Sequence, residues 1–339
     1  MTTRRRLLQA ASLAPAYALA SPGLAAPARK LTIGVGGYTF AYLPLFVANA
    51  AGFLAEEGLD VELVQTGSGT TAMAAMLGGS FDICGLVLSD VILAATKGQR
   101  ISVFAPLMTQ YASDAIISKA AAQRAGLQPG MPLIERIKRL KGMTLAVSGR
   151  GSGIDKMWRY LFRLAGMDAD RDVTLTVIKL DQMYPALRAG QIDGYNTTAP
   201  ANNRAVEEGL AVWVARPSHG EVPGLDGFVY TILAARPAVL KSGRAELTSL
   251  ARGLARANAL IHDDPSRAAA AVHKTVWSQT DPALLQHALA DQRTAFARQL
   301  TLTQQAFDQN KDFMLGFGDE VKAVAYTDII DPGVIASVT

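Results

Sequence analysis

The chain has 339 residues, 50% of them apolar and 18% charged, which is enough for two ordinary cores. No apolar run approaches the roughly 20 residues of a membrane-spanning helix. Residues 1–26 contain Arg4, Arg5 and Arg6 and no acid, so setting them aside lowers the formal charge from +4 to +1; the remainder carries no bulk charge suited to a nucleic acid, and none is expected as a partner.

The first segment has the order of an export signal. "TRRRLLQ" (3–9) matches the twin-arginine pattern, with Arg4 and Arg5 as the pair, and a mildly apolar stretch follows it. "SPGLAAPA" (21–28) is a small-residue zone where a peptidase could cut between about Ala25 and Ala28. A signal peptide over 1–28 and a periplasmic location are therefore expected. Cys84 is the only cysteine, so an intrachain disulfide is impossible, and no cysteine near the cleavage zone could carry a lipid.

The mature chain reads as two similar halves. "LTIGVGG" (31–37) aligns with "MTLAVSG" (143–149), and "DVELV" (60–64) aligns with "DVTLT" (172–176) at the same offset. "AMLGGSFD" (75–82) aligns with "ALRAGQID" (186–193) at an offset shorter by one, so a single position has been lost between them. Each half reads strand, helix, strand, helix, Gly-x-x-Asp, strand. The strands are near-continuous apolar runs, as buried parallel strands are. Gly79 and Gly190 stand where a helix ends and a left-handed residue is needed. Between the halves, 110–142 supplies a strand ("DAIIS") and a basic helix ("IERIKRLK"). After them, "EVPGLDG" (221–227) is turn-rich, "FVYTILAA" (228–235) reads as a strand, and 236–339 is helical, with a stop and restart at Asp263, Asp264 and Pro265. The expectation is an α/β protein of two lobes joined by two crossings. Lobe 1 takes 29–110 and 225–339, lobe 2 takes 111–224, the hinge lies near 107–116 and 222–228, and the helical C-terminal part packs on lobe 1. In such sheets ligands bind beyond the carboxyl ends of strands, at helix N-termini.

Two glycine turns mark that position. "VSGRGSGIDK" (147–156) is neither a nucleotide P-loop nor a dinucleotide fingerprint, because Ile154 stands where each needs glycine. It leads into a helix with Ile154, Met157, Trp158, Leu161, Phe162 and Ala165 on one face. Two readings stay open. Ser148, Arg150, Gly151 and Ser152 could form an anion cradle, with the guanidinium and the free N–H groups as donors. Alternatively Ser152 is an ordinary N-cap and Arg150 is solvated. "TGSGTTAM" (66–73) is the counterpart in the first half, with Ser68 or Thr70 as cap and Gly69 allowing close approach to the backbone. Tyr38, Thr39, Phe40 and Tyr42 could form an aromatic wall or pack on the next helix, and Ser89 follows the strand "DICGLV". Tyr195, Asn196, Thr197 and Thr198 could bind a ligand or satisfy local backbone. The four histidines have no ligand spacing, so neither metal nor cofactor is expected. Cys84, inside an apolar strand, reads as core, and no paired catalytic groups stand out.

"PLFVANAAGFLAEEGLDVELV", "AMLGGSFDI", "LKGMTLAVSGRGSG", "DVTLTVIKLDQMYPALRAGQIDGYNTTAP" and "FVYTILAARPAVL" resemble the periplasmic substrate-binding proteins of ABC transporters, in the nitrate/sulfonate/taurine group. That group shares its fold with thiamine-pyrimidine-precursor binders. The resemblance covers roughly 31–240. It implies a type II periplasmic binding fold, a monomer that closes on a small anionic or heterocyclic solute, and a membrane permease as partner. By position it assigns ligand contacts to Tyr38–Phe40, Ser68–Thr70, Ser89, Ser148–Gly153, Met183 and Tyr195–Thr197. "YNTTAP" is more polar than the family's usual segment there, which suggests a ligand with more hydrogen-bonding groups. An enzyme resembling the pyrimidine-precursor synthases is the alternative, disfavoured by the export signal; the binding module of a sensor system is another.

Overall fold

The computed structural model describes residues 28–338; the expected export segment with Arg4 and Arg5 lies outside them. Ten strands form two five-stranded sheets. The first sheet contains β1 (Arg29–Val35), β2 (Leu59–Gln65), β3 (Ile83–Val87) and β4 (Ser102–Met108). The second contains β5 (Asp114–Ser118), β6 (Thr144–Val147), β7 (Thr174–Val177), β8 (Gly194–Thr197) and β9 (Ala211–Ala215). β10 (Thr231–Ala235) returns to the first. The orders are β2-β1-β3-β10-β4 and β7-β6-β8-β5-β9. In each sheet three parallel strands are followed by one antiparallel strand that arrives from the other sheet's side of the chain.

The repeat read from the sequence is reproduced in the hydrogen-bond register. Ile33 pairs with Leu63 and Leu145 with Leu175, at identical separations along the chain. On the other side Ile33 pairs with Ile83 and Leu145 with Gly194, and here the second separation is shorter by one, which places the deletion between those strands. Gly79 and Gly190 adopt φ of 86° and 69° at the helix ends that precede β3 and β8.

The chain passes from the first sheet to the second between β4 and β5 and returns between β9 and β10. The two crossings are fastened together. Asp114 accepts from the Ser218 N–H (3.0 Å) and hydroxyl (2.6 Å), and Gln110 donates to the Ser218 carbonyl (3.0 Å). The expected strand over 228–235 begins only at Thr231. Phe228 and Tyr230 turn their rings in against Tyr111, with ring centroids 4.9 and 4.4 Å away.

The C-terminal helices cover the first sheet. The long helix Arg244–Asp263 buries Leu247, Leu250, Leu254 and Ile261 at helical spacing and packs on the helices Leu43–Ala50 and Phe53–Glu56. The helix Gln304–Leu315 packs on Leu88–Thr96. Among the described residues no helix is long and apolar enough to cross a membrane.

Candidate functional site

The site lies where the two glycine turns meet. Val147 ends β6, and the turn after it delivers the helix Gly153–Leu164, capped by Ser152, whose hydroxyl accepts from the Asp155 N–H (3.3 Å). Gln65 ends β2, and Ser68 caps the helix Gly69–Leu77 by accepting from Thr71 N–H (3.1 Å). The turns face each other closely: a Cβ added at Gly149 would stand 2.9 Å from Thr70 Oγ1. Further bonds span the same seam. The Leu180 N–H donates to the Gly67 carbonyl (3.3 Å), Phe40 N–H to the Ala199 carbonyl (2.7 Å), and Ala41 N–H to Thr198 Oγ1 (2.9 Å).

Between the turns is a cavity of about 30 Å³, room for roughly one or two waters. Thr39, Ser148, Ser152, Thr197, Thr198 and Thr231 bring hydroxyls to it, and Tyr42 and Tyr230 bring phenols. Burial pushes both phenols well above their usual range, so they stay protonated and able to donate. Tyr230 is stacked on Tyr111, and Tyr111 Oη donates to the Gly153 carbonyl (2.5 Å). Gly153 has to be glycine here, since a Cβ would lie 2.9 Å from the Tyr230 ring.

A buried charged pair crosses the cleft at this cavity, while Arg216 reaches Asp291 (2.5 Å) between the lobes farther out. Asp90, in the first turn of the helix after β3, lines the cavity and is bound by Lys156 from the facing helix, with side chains 9% and 6% exposed. Burial pushes the Asp90 carboxyl up, and Lys156 partly restores it. The cavity thus offers many neutral hydrogen-bonding groups and a carboxylate already answered by its own cation.

The expected site residues divide accordingly. Thr39, Gly69, Ser148, Ser152 and Thr197 line the cavity, and Ser68, Thr70 and Gly151 shape the turns beside it. Arg150 lies outside it. Gly151 takes a φ of 74°, and the Arg150 guanidinium donates to the Leu175 carbonyl (3.1 Å) and reaches Asp170 (3.5 Å), so no cradle forms around it. Asp170 gathers this network because Arg159 also grips it through two bonds of 2.7 and 2.8 Å, holding its carboxyl below the usual range. Phe40 packs edge-on against Trp277, and Met183 is buried away from the cavity. Tyr195 donates to the Ala201 carbonyl (3.0 Å), and Asn196 donates to the Ile154 carbonyl (3.0 Å) while accepting from Ser113 (2.6 Å). Tyr195 thus bonds nearby backbone, and Asn196 ties β8 to the start of the facing helix and to Ser113. Ser89 is buried beside Asp90, its hydroxyl without a protein partner. Tyr38 stands 41% exposed at the mouth of the cleft.

Tyr42 and Thr198, each a candidate from the sequence, also line the cavity; sequence reasoning missed Asp90, Lys156, Tyr230 and Thr231. Asp90 had a faint signal, the one charge on an apolar helix, whereas Lys156 stands beside Asp155, and the two are far apart in the chain so nothing local pairs them. Cys84 is core as expected: burial pushes its thiol up to about 12.

This geometry, two duplicated sheets closing glycine turns on a polar cavity, accords with the comparisons. A family model for the NMT1-like family matches residues 24–275. The chain belongs to the NMT1-like family. Its relatives include YtlA of Bacillus subtilis (strain 168), whose name marks it as a candidate binding protein. YtlA is 21% identical over 322 residues, a match that covers 91% of this chain and 90% of YtlA. Solved structures similar to this NMT1-like protein include two binding proteins. The ligand-binding component of an ABC-type import system from Staphylococcus aureus, with zinc bound, has a TM-score of 0.73 at 14% identity, covering 92% of this chain and 99% of that one. The alkanesulfonate-binding protein SsuA from Xanthomonas axonopodis pv. citri, bound to MOPS, has a TM-score of 0.69 at 18% identity, covering 93% and 99%. At these identities the likeness is one of fold. Among the described residues of this NMT1-like protein no group of three or more His, Cys, Asp or Glu could hold a metal ion.

Proposed function

We propose that this chain is the solute-binding component of an ABC-type importer, working in the periplasm after export by the twin-arginine route. The reading rests on one observation above the others. The Ser/Gly turns of two duplicated sheets meet across a seam, with Gly149 against Thr70, around a cavity lined by neutral hydroxyls. Such a site holds the polar end of a small solute by hydrogen bonds. The lobes are 29–110 with 225–339, and 111–224. They rotate about the paired crossings held by Asp114, Ser218 and Gln110, and solute contacts from both sides favour the closed state.

The comparisons support this reading, through relatives named for binding and import. The cavity also favours a binder over a catalyst, since its one carboxylate is engaged by Lys156 and the Cys84 thiol is buried and protonated. The partners are a small solute and a membrane permease, and the protein acts as a monomer.

A thermal-shift screen of the mature protein against small anions, amides and heterocycles tests the proposal. A true solute at 100 times its Kd adds about 2.7 kcal/mol of stability. Tyr230→Phe weakens that solute by roughly 0.5–1.5 kcal/mol, the worth of one hydrogen bond. If no compound of the panel stabilises the protein, or if Tyr230→Phe leaves the affinity of every binder unchanged, the proposal fails.

A further inference from the structure

The inner cavity of about 30 Å³ is too small for an organic solute. A second chamber of about 310 Å³ opens beside it at the mouth of the cleft, a volume at the lower end of small-molecule sites. The two share Thr39, Leu180 and Thr197. Other cavities, of about 500 Å³ beside Met131 and Trp213 and about 790 Å³ beside Arg100 and Glu320, share no lining residue with the cleft.

The chamber is walled by aromatic rings from three parts of the chain. Tyr38 comes from the first half, Tyr184 from the second and Trp277 from the C-terminal helices. Phe46 holds two of these walls, packing edge-on against Tyr38 and Trp277 with centroids 5.6 and 5.5 Å away. Tyr38 is nevertheless left 41% exposed, unusual for a large ring so placed. The chamber's lining holds one cation and one carboxylate, Arg204 and Asp181, and Arg204 donates to Glu208 (2.8 Å) and lies 4.5 Å over the Tyr184 ring. Rings presented this way favour a flat apolar body through edge and face contacts. The inner hydroxyls favour a neutral group that both donates and accepts.

We propose that the solute of this cleft is a planar ring compound carrying a neutral polar group such as a carboxamide. Its ring sits between Tyr38, Tyr184 and Trp277, and its polar group points past Thr39 and Thr197 into the inner cavity. This inference rests on the solute-binding reading and narrows its solute.

The test uses the mature protein labelled with 5-fluorotryptophan, followed by fluorine NMR. Trp277 is assigned with Trp277→Phe, or by difference from Trp158→Phe and Trp213→Phe should that variant fail to fold. Benzamide, acetamide and methanesulfonate are titrated separately. Benzamide is expected to move the Trp277 resonance saturably while leaving Trp158 and Trp213 in place. It should bind at least tenfold more tightly than either other probe, and Tyr184→Ala should weaken it at least fivefold. A Trp277 resonance that benzamide does not move, a shift at Trp213 instead, or benzamide affinity unchanged in Tyr184→Ala overturns the inference. Binding of methanesulfonate or acetamide without a response from Trp277 also overturns it, yet leaves solute capture standing. Failure of the wider solute panel is what removes that broader reading.

Discussion

The Asp90–Lys156 pair should control how readily the cleft stays shut. Lys156→Met leaves the Asp90 carboxylate buried without its cation. Removing one member of a buried pair costs about 3–5 kcal/mol. The charge lies at a seam, so the molecule can restore water to it by opening rather than by unfolding. With about 1.4 kcal/mol per factor of ten, the closed-to-open equilibrium should move roughly a hundred- to several-thousand-fold toward open. The sign with pH follows from burial, which raises the Asp90 carboxyl in the closed form. The closed form therefore takes up the proton more readily: closure of Lys156→Met is favoured at low pH and lost as pH rises through the raised value. Lys156→Met with Asp90→Leu removes both charges and should recover closure. Small-angle scattering reads the radius of gyration and urea titration reads global stability, each across pH 4–8. A Lys156→Met protein with the wild-type radius and wild-type urea midpoint throughout that range would refute the reasoning.

Two further outcomes follow from the crossings and the turns. Asp114 is buried between the crossings, and its carboxyl is pushed up from 3.8 to about 6 by burial, against the bonds from Ser218. The stability tied to that proton is fully present below 3.8 and lost as pH rises through 6. It amounts to about 3 kcal/mol at most; Asp114→Asn should flatten the melting temperature between pH 4 and 6, and identical slopes in variant and wild type would count against the assignment. Gly149→Leu drives a side chain at Thr70 only when the cleft is shut. It should lower affinity for the captured solute at least tenfold by calorimetry and raise the ligand-free radius of gyration, as Lys156→Met does; equal affinity with an unchanged radius would mean the turns do not meet in the closed state.

The local machinery was legible from neighbouring residues alone. The duplicated order of elements, the strands, the glycines ending helices before β3 and β8 and the serine caps at Ser68 and Ser152 all depend on residues within a turn or two of each other. The repeat even carried its single deletion into the strand register, where Leu145 meets Gly194 one position sooner than Ile33 meets Ile83. Tertiary structure decided which side chains face the cleft. Arg150 follows the turn expected of it, but Asp170 and the Leu175 carbonyl, from the helix and strand beside it, draw its guanidinium away. Asn196 and Tyr195 sit in a polar run that reads equally well as ligand contact or backbone support, and which neighbours they meet, Ser113, Ile154 and Ala201, depends on the packing around them. Asp90 and Lys156 belong to different halves of the chain, and Tyr38 and Trp277 stand on separate layers, so only the packing of the two sheets and the C-terminal helices brings either pair to one site. Caps and periodicity are set by the backbone's own short-range bonding, whereas the direction and charge of a cleft are set by what lies opposite.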